Sequence, residues 1–264
     1  MIFDFSIHRF FFILSILFIL IINSFSQLPQ NTISLSGGIS DFHMKDERIS
    51  DVIFRGDLYN IRSSYNHITE NYIHDVKIDI GIGKVESIIK EYDVSQYNGE
   101  ISYTLFKFIK QVSNNSFNSF AGLGINSSFL TSYILTPGYI TNFCEWTWYW
   151  KNSLDISLLE KINLYKNNFL EVCINIPVIK FITRPEYSNN VINNDPNIYH
   201  ALKRSKFSFL TNNFVIGSEI VYRNVISSKF DLHLIYNFNY ASTINPVNME
   251  MFSNNFTAGV TWKF

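Results

Sequence analysis

The chain has 264 residues, of which 47% are hydrophobic, 17% aromatic and only 16% charged, and its net charge is −1. Soluble domains carry about 25% charged residues, so this composition disfavours a typical soluble domain and a disordered chain. The balanced charge argues against a nucleic-acid partner, and two cysteines are too few for a disulfide framework or a zinc cluster. No cofactor is expected.

Residues 1–26 have the pattern of a secretory signal peptide. An almost unbroken apolar run from Phe10 to Ile22 follows Arg9, and Ser24 and Ser26 supply the small residues expected before a cleavage site. An uncleaved membrane anchor is the alternative, but this run falls short of the ~20 apolar residues that a spanning helix needs. We therefore expect residues 27–264 to form the mature, exported domain.

The mature chain alternates between apolar and polar residues. Phe256, Val260, Trp262 and Phe264 share one face of the clearest stretch. Such alternation predicts β-strands with one apolar and one polar face. Turn-like clusters divide the chain into about ten strands, at 32–43, 51–66, 70–85, 95–111, 117–134, 142–163, 168–182, 206–223, 227–241 and 254–264. The alternation slips at 52–62, where we expect a β-bulge.

Alternation alone does not tell which face meets solvent, because a soluble barrel of the lipocalin kind would turn its apolar face inward. Many predicted strands run 15 or more residues, whereas strands of soluble proteins cluster near ~5–6. Trp146, Trp148 and Trp150 share one face at the start of a strand, as an aromatic girdle at a membrane interface requires. These features favour an apolar face turned toward lipid.

The lengths of the connections support the same orientation. If the N-terminus lies in the periplasm, every second connection is a periplasmic turn, and these are short, at 67–69, 112–116, 164–167 and 224–226. The longest connections, 183–205 and 242–253, both fall on the outer side, where only 135–141 is short. Short periplasmic turns and longer outer loops are typical of transmembrane barrels.

The closing strand carries a resemblance to a known class. From Phe256 to Phe264 it alternates hydrophobic residues and ends in an aromatic residue. This resembles the C-terminal assembly signal of the outer-membrane β-barrel proteins of Gram-negative bacteria. The resemblance implies an all-β, closed, antiparallel up-and-down barrel in the outer membrane, in contact with outer-membrane lipids and delivered by the barrel-assembly machinery. It leaves the activity and the oligomeric state open.

Folding each predicted hairpin about its turn predicts charged pairs inside the barrel. The three expected pairs are Arg62 with Asp75, Lys161 with Glu171, and Glu219 with His233. Buried charges must be paired, and a barrel of ten strands is narrow. We expect these pairs to plug the periplasmic half of the lumen, and a proton or ion path is the alternative.

Three functions follow from this reading. A structural, adhesive or binding barrel is the leading hypothesis, a small channel is the second, and a lipid- or peptide-cleaving enzyme is the third. The omptin surface proteases also have ten strands, and Asp231 with His233 could form a catalytic pair. The predicted topology places His233 low in the barrel, however, whereas omptin chemistry belongs at the outer rim. No Ser–His set for acyl transfer is predicted at one depth.

Two remaining features concern the cysteines and the longest loop. Cys173 is predicted opposite Leu159, so Cys144 lies roughly 45 Å away along the sheet, and both thiols are expected to be free. The basic residues of loop 183–205 could bind lipopolysaccharide phosphates, although a solvated loop is the favoured interpretation. These basic residues are Arg184, Lys203 and Arg204.

Overall fold

A computed structural model describes residues 30–46, 50–87, 93–112, 117–135, 144–165, 167–183, 206–209, 213–243 and 248–264. The predicted signal peptide, residues 1–26, lies outside these ranges and stays a prediction. The part of the chain that the structure describes contains no helix long and apolar enough to cross a membrane.

β-Strands make up almost all of the described residues. They are β1 (Gln30–Asp46), β2 (Ser50–Ile68), β3 (Tyr72–Ser87), β4 (Asp93–Val112), β5 (Phe117–Leu135), β6 (Cys144–Tyr165), β7 (Asn168–Thr183), β8 (Lys206–Phe209), β9 (Asn213–Val225), β10 (Phe230–Thr243) and β11 (Met249–Lys263). Their lengths, up to 22 residues in β6, exceed those of ordinary soluble strands.

The strands form one antiparallel sheet that closes on itself. Consecutive strands pair from β1 to β7, β9 to β11 pair in turn, and β11 pairs with β1. Both β8 and β9 pair with β7, so they occupy one position and the barrel has ten positions, as predicted. A closed sheet leaves no open edge, which is the condition for β-structure in lipid.

The predicted strand 206–223 is divided into β8 and β9. Between the pairs Ile179–Phe209 and Asn175–Gly217, β7 advances by four residues while the partner segment advances by eight. The extra residues cannot fit the ladder, and therefore the strand is interrupted. The ammonium of buried Lys180 donates a hydrogen bond to the backbone oxygen of Asn213, the first residue after the break.

The apolar face points outward along the middle and lower parts of the barrel. Tyr59 is 70% exposed, Leu123 is 62% exposed and Phe256 is 64% exposed, whereas Ser34 and Asn60 of the opposite face are buried inside. Large apolar side chains exposed on every strand position form a surface of the kind that marks membrane contact.

The two ends of the barrel differ. The turns 69–71 and 226–229 and the terminal residues Gln30 and Phe264 lie at one end, which we call the turn end. The longer connections of the sequence join the strands at the opposite end, which we call the loop end. Most of these connections, 184–205 among them, lie outside the described residues.

Toward the loop end, the polarity of the wall reverses. On β2 the side chains of Phe54 and Leu58 are buried inside, while Arg55 and Asp57 point outward and are exposed. This reversal explains the slip in alternation at 52–62, where we expected a β-bulge. An irregularity does lie at the start of this range, because Lys45 pairs with Ile53 while Asp46 pairs with Ser50, which leaves residues 51 and 52 unpaired. From Ile53 to Arg62 the register is unbroken.

Inward apolar side chains near the loop end form a compact group, which we call the outer core. Its buried members are Phe42, Met44, Phe54, Leu58, Val85, Val94, Tyr149, Ile182 and Met249, with Leu130 and Met251 packed against them. Burying apolar side chains contributes about 1.5–3 kcal/mol of stability each. At this end the barrel therefore has an apolar interior, as soluble β-barrels do. The polar lumen begins below it.

Candidate functional site

Five charged side chains at mid-height form a network that we call the mid-lumen cluster. Its members are Arg62, Asp75, Lys77, Asp79 and Glu219. Arg62 Nε lies 2.5 Å from Asp79 Oδ1, and Arg62 Nη1 lies 2.5 Å from Glu219 Oε2. Lys77 Nζ lies 3.0 Å from Glu219 Oε1 and 3.1 Å from Asp75 Oδ2. Every charge in the cluster therefore has an ion-pair partner, as burial requires.

The mid-lumen cluster spans the barrel. Arg62 belongs to β2 and Lys77 to β3, whereas Glu219 belongs to β9, and four strand positions separate β3 from β9 in either direction around the wall. Lys77 and Glu219 thus meet from opposite sides. The ion pairs that Glu219 accepts cross the lumen rather than follow its wall, and this bridge divides the interior.

A second polar group lies nearer the turn end. Lys161 Nζ lies 3.1 Å from Glu171 Oε1, and Arg223 Nε lies 3.4 Å from Glu171 Oε2. Arg223 also donates a hydrogen bond of 2.8 Å to Thr261 Oγ1. The ammonium of Lys263 lies 2.7 Å from Asp231 Oδ1. This group consists of neighbouring wall residues and does not bridge the lumen in the way that Glu219 does.

Two of the three predicted charged pairs need correction. Lys161 does lie opposite Glu171, in the register the sequence analysis expects. Arg62, however, lies opposite Asp79 rather than Asp75. Likewise, Glu219 lies opposite Asn237 and His233 lies opposite Arg223, so Glu219 and His233 are not partners.

The turns explain both corrections. The turn after β2 lies further along the chain than predicted, because Thr69 closes it by bonding both the backbone nitrogen and the backbone oxygen of Tyr72 through Oγ1, at 3.1 Å each. The turn after β9 is held by Ser227 Oγ, which accepts hydrogen bonds from the backbone nitrogens of Lys229 and Phe230. Any even displacement keeps polar residues opposite polar ones, so alternation cannot distinguish these registers.

Two cavities flank the mid-lumen cluster. The upper chamber, toward the loop end, has a volume of about 220 Å³, and the lower chamber, toward the turn end, has a volume of about 470 Å³. Both are lined by the same dividing layer, which consists of Arg62, Asp75, Lys77, Phe106, Cys173 and Glu219. One layer of side chains therefore separates the two chambers.

The predicted aromatic girdle and the two cysteines lie on β6 and β7. Trp148 and Trp150 lie on β6 near the loop end and are half-buried, and Trp150 Nε1 donates a hydrogen bond of 3.0 Å to Ser127 Oγ. Trp146 belongs to the same strand, but its side chain lies outside the described residues. Cys173 is buried, is a free thiol, and lies opposite Leu159 as predicted. Cys144 stands at the far end of β6.

The residues considered for catalysis lie at the turn end. Asp231 and His233 follow the first residue of β10, and both are buried. His233 Nδ1 lies 3.0 Å from Thr261 Oγ1, and Asp231 pairs with Lys263. No hydrogen bond joins Asp231 to His233 among the described residues.

Arg184, Lys203 and Arg204 of the predicted loop lie outside the described ranges.

The alternation in the sequence does not predict the burial of Lys180. By alternation, Lys180 shares a face with the lipid-facing residues of β7, yet it is fully buried. A shift in register between β6 and β7 after Pro177 changes the phase of the alternation, so Lys180 and Ile182 point inward and Phe181 points outward. Proline inside a strand commonly marks a bulge, so Pro177 was the available signal.

Comparisons with known proteins can now be set beside this geometry. The sequence matches no protein-family model and no curated protein. The structure of the outer membrane protease OmpT from Escherichia coli aligns with a TM-score of 0.53 and 10% identity, over 92% of this chain and 99% of that one. The translocator domain of the autotransporter NalP from Neisseria meningitidis aligns with a TM-score of 0.48 and 9% identity, over 97% and 96% of the two chains. The attachment invasion locus protein Ail of Yersinia pestis aligns with a TM-score of 0.37 and 10% identity, over 89% and 99%.

At 10% identity, the likeness to OmpT concerns the fold alone. It agrees with the closed antiparallel sheet and with the apolar outer face described above. The chain has the fold of the Gram-negative outer-membrane β-barrel proteins, and this architecture fits a place in the outer membrane.

Proposed function

We propose that the protein is an integral outer-membrane barrel with a closed lumen, and that it acts through the loops at its outer end as a structural, adhesive or binding element. The observation that carries this proposal is the bridge formed by Glu219, which accepts ion pairs from Arg62 and Lys77 across the barrel. A narrow barrel filled by paired charges is suited to a scaffold rather than to a wide pore.

The partners follow from the same proposal. The apolar outer face would contact outer-membrane lipids, and the last strand would be read by the barrel-assembly machinery. The basic residues of loop 183–205 would contact lipopolysaccharide phosphates through charge-assisted hydrogen bonds. With the turn end toward the periplasm, this loop would face the cell exterior.

A small channel is the second candidate. It is favoured by one observation, namely that a single layer of side chains separates the upper chamber from the lower chamber. Movement of Arg62 or Lys77 away from Glu219 would join the two chambers. The two candidates differ in whether this layer opens in the unmodified protein.

Planar-bilayer recording with purified protein separates the two candidates. The closed-lumen proposal predicts no steady openings for the wild type and ion-selective openings for Glu219→Ala, which removes the carboxylate shared by both cations. Glu86→Gln, a change at an exposed outward position, serves as the control and should stay closed. Steady, ion-selective openings of the wild type would overturn the closed-lumen proposal in favour of the channel.

A further inference from the structure

The upper chamber is lined by an unusual set of side chains. Its walls contain asparagines from six strands, together with several serines, and the outer core covers its loop end. These asparagines are Asn60, Asn98, Asn126, Asn175, Asn237, Asn239 and Asn255. Its volume of about 220 Å³ has room for about seven water molecules at ~30 Å³ each, which also suits one small organic molecule.

The charges that line the upper chamber do not balance. The cations are Arg62, Lys77 and Lys151, and the anions are Asp75, Asp79, Glu100, Asp155 and Glu219, which gives 3 − 5 = −2. The mid-lumen cluster accounts for two of these cations and three of these anions. The cluster therefore carries −1, and the wall formed by β4 to β6, with Lys151, Glu100 and Asp155, carries the other −1. Among the described residues, neither of the two wall carboxylates has an ion-pair partner.

Two acceptor atoms on this wall also lack donors. Asp155 is only 9% exposed, and its Oδ1 has no hydrogen-bond partner. Asn126 uses its amide nitrogen to donate a bond of 2.6 Å to Glu100 Oε1, which leaves its own Oδ1 buried without a partner. A buried acceptor without a donor costs about 1–3 kcal/mol, so this wall is prepared for a group that donates several hydrogen bonds.

The three acceptor residues follow a diagonal across β4, β5 and β6, with Asn126 in the middle. Glu100 on β4 faces Ser128 on β5, and Asp155 on β6 faces Gly124 on β5. Asn126 stands between Ser128 and Gly124 on the same face of β5. Glu100 therefore lies diagonally to one side of Asn126, on β4, and Asp155 lies diagonally to the other side, on β6. A primary ammonium group supplies three donors and one positive charge, and thereby matches this arrangement.

We propose that the upper chamber binds a small organic cation with a primary amine, whose ammonium group is held by Asp155 and Asn126, while Glu100 adds negative charge through its hydrogen bond with Asn126. The uncharged asparagines of β10 and β11 on the opposite wall would bind the polar remainder of the molecule. Within the described residues, no group of three or more His, Cys, Asp or Glu is placed to hold a metal ion, which favours an amine. The bridge at Glu219 closes the floor, so the chamber retains its ligand instead of passing it on.

Titration calorimetry on the full-length protein in detergent micelles tests this inference, which goes beyond the proposed role of the outer loops. The probes are ethanolamine, putrescine and glucosamine, and glucose is the neutral counterpart of glucosamine. We expect at least one amine to bind, and glucose to bind at least tenfold more weakly than glucosamine if glucosamine is that amine. Glu100→Gln and Asp155→Asn should each weaken amine binding at least tenfold, whereas Glu86→Gln should leave it within twofold.

Several results would overturn the inference. They are the absence of binding by all three amines at millimolar concentration, equal binding of glucose and glucosamine, and variants of Glu100 and Asp155 that bind amines as the wild type does. Binding of CaCl₂ or KCl without binding of amines would replace the amine by an inorganic ion. Conductance of the wild type in bilayers would contradict only the closed-lumen proposal. Absence of amine binding would contradict only the proposed amine site, so the two proposals can be tested separately.

Discussion

At the scale of single residues, Glu219 has the largest effect on the interior. Its two carboxylate oxygens accept from different cations on different strands, at 2.5 Å from Arg62 and 3.0 Å from Lys77. Removing one partner from a buried ion pair commonly costs 3–5 kcal/mol, because the charge that remains is buried without compensation. Glu219 therefore links the stability of the barrel to the closure of its lumen.

Glycines contribute by allowing strands to approach each other closely. A Cβ atom at Gly83 would overlap the carbonyl oxygen of Asp57 on β2 and would stand 2.8 Å from the Leu58 Cα atom. A Cβ atom at Gly99 would meet no atom within 4 Å. The close approach of β3 to β2 at Gly83 thus depends on the missing side chain, whereas Gly99 has open space around it.

Alanine substitutions at these two positions should differ in stability. We expect Gly83→Ala to lower the free energy of unfolding by about 1–3 kcal/mol, because the backbone of β2 must move. The matched change Gly99→Ala should stay within about 0.5 kcal/mol. Urea unfolding from lipid vesicles, followed by tryptophan fluorescence, measures both values. Equal losses would show that the strands do not approach each other as described.

At the scale of elements, the sequence predicts faces well and registers poorly. The period of two assigns Arg62, Lys161 and Glu171 to the inside, and they are inside. Register depends instead on the turn residues Thr69 and Ser227, whose hydrogen bonds act across three residues and leave no trace in the alternation. For this reason the predicted lumen had the correct kinds of residue but two incorrect pairs.

The last strand combines pairing with a proposed signal. Phe264 exchanges backbone hydrogen bonds with Asn31 at 2.9 and 3.1 Å, and its ring lies 5.2 Å from the ring of Trp262. The backbone pairing does not require an aromatic side chain at this position. An effect of Phe264 on assembly can therefore be separated from its effect on the finished sheet.

We expect Phe264→Ala to lower the yield of folded barrel in the outer membrane of a Gram-negative host several-fold, while folding into lipid vesicles stays near the wild-type level. The matched control is Phe230→Ala, because Phe230 is an exposed aromatic residue at the same end and lies opposite Trp262. Heat-dependent gel migration measures the folded fraction. If both variants assemble equally well in cells, the proposed signal does not act through Phe264.

At the scale of the whole molecule, the barrel has three zones along its axis. The outer core fills the loop end and the mid-lumen cluster closes the centre. A chamber of about 470 Å³ occupies the turn end, lined by polar residues together with a buried apolar group of Ile73, Phe106, Leu159 and Cys173. The outward face is apolar beside the polar lumen, and on β2 and β3 it carries exposed charges beside the outer core, whereas β7 and β8 keep exposed phenylalanines there. We infer that β2 and β3 leave the bilayer below the outer core and continue into water.

Spin labels on β2 test this arrangement most directly, in a background with Cys144 and Cys173 replaced by serine. Labels at Ile61, Arg55 and Leu58 sample the outward apolar wall, the outward charged wall and the outer core, respectively. In lipid vesicles, we predict that the Ile61 label collides mainly with oxygen, that the Arg55 label collides mainly with a water-soluble nickel chelate, and that the Leu58 label is shielded from both. A label at Ile61 that collides mainly with the nickel chelate would contradict the proposed membrane-spanning wall.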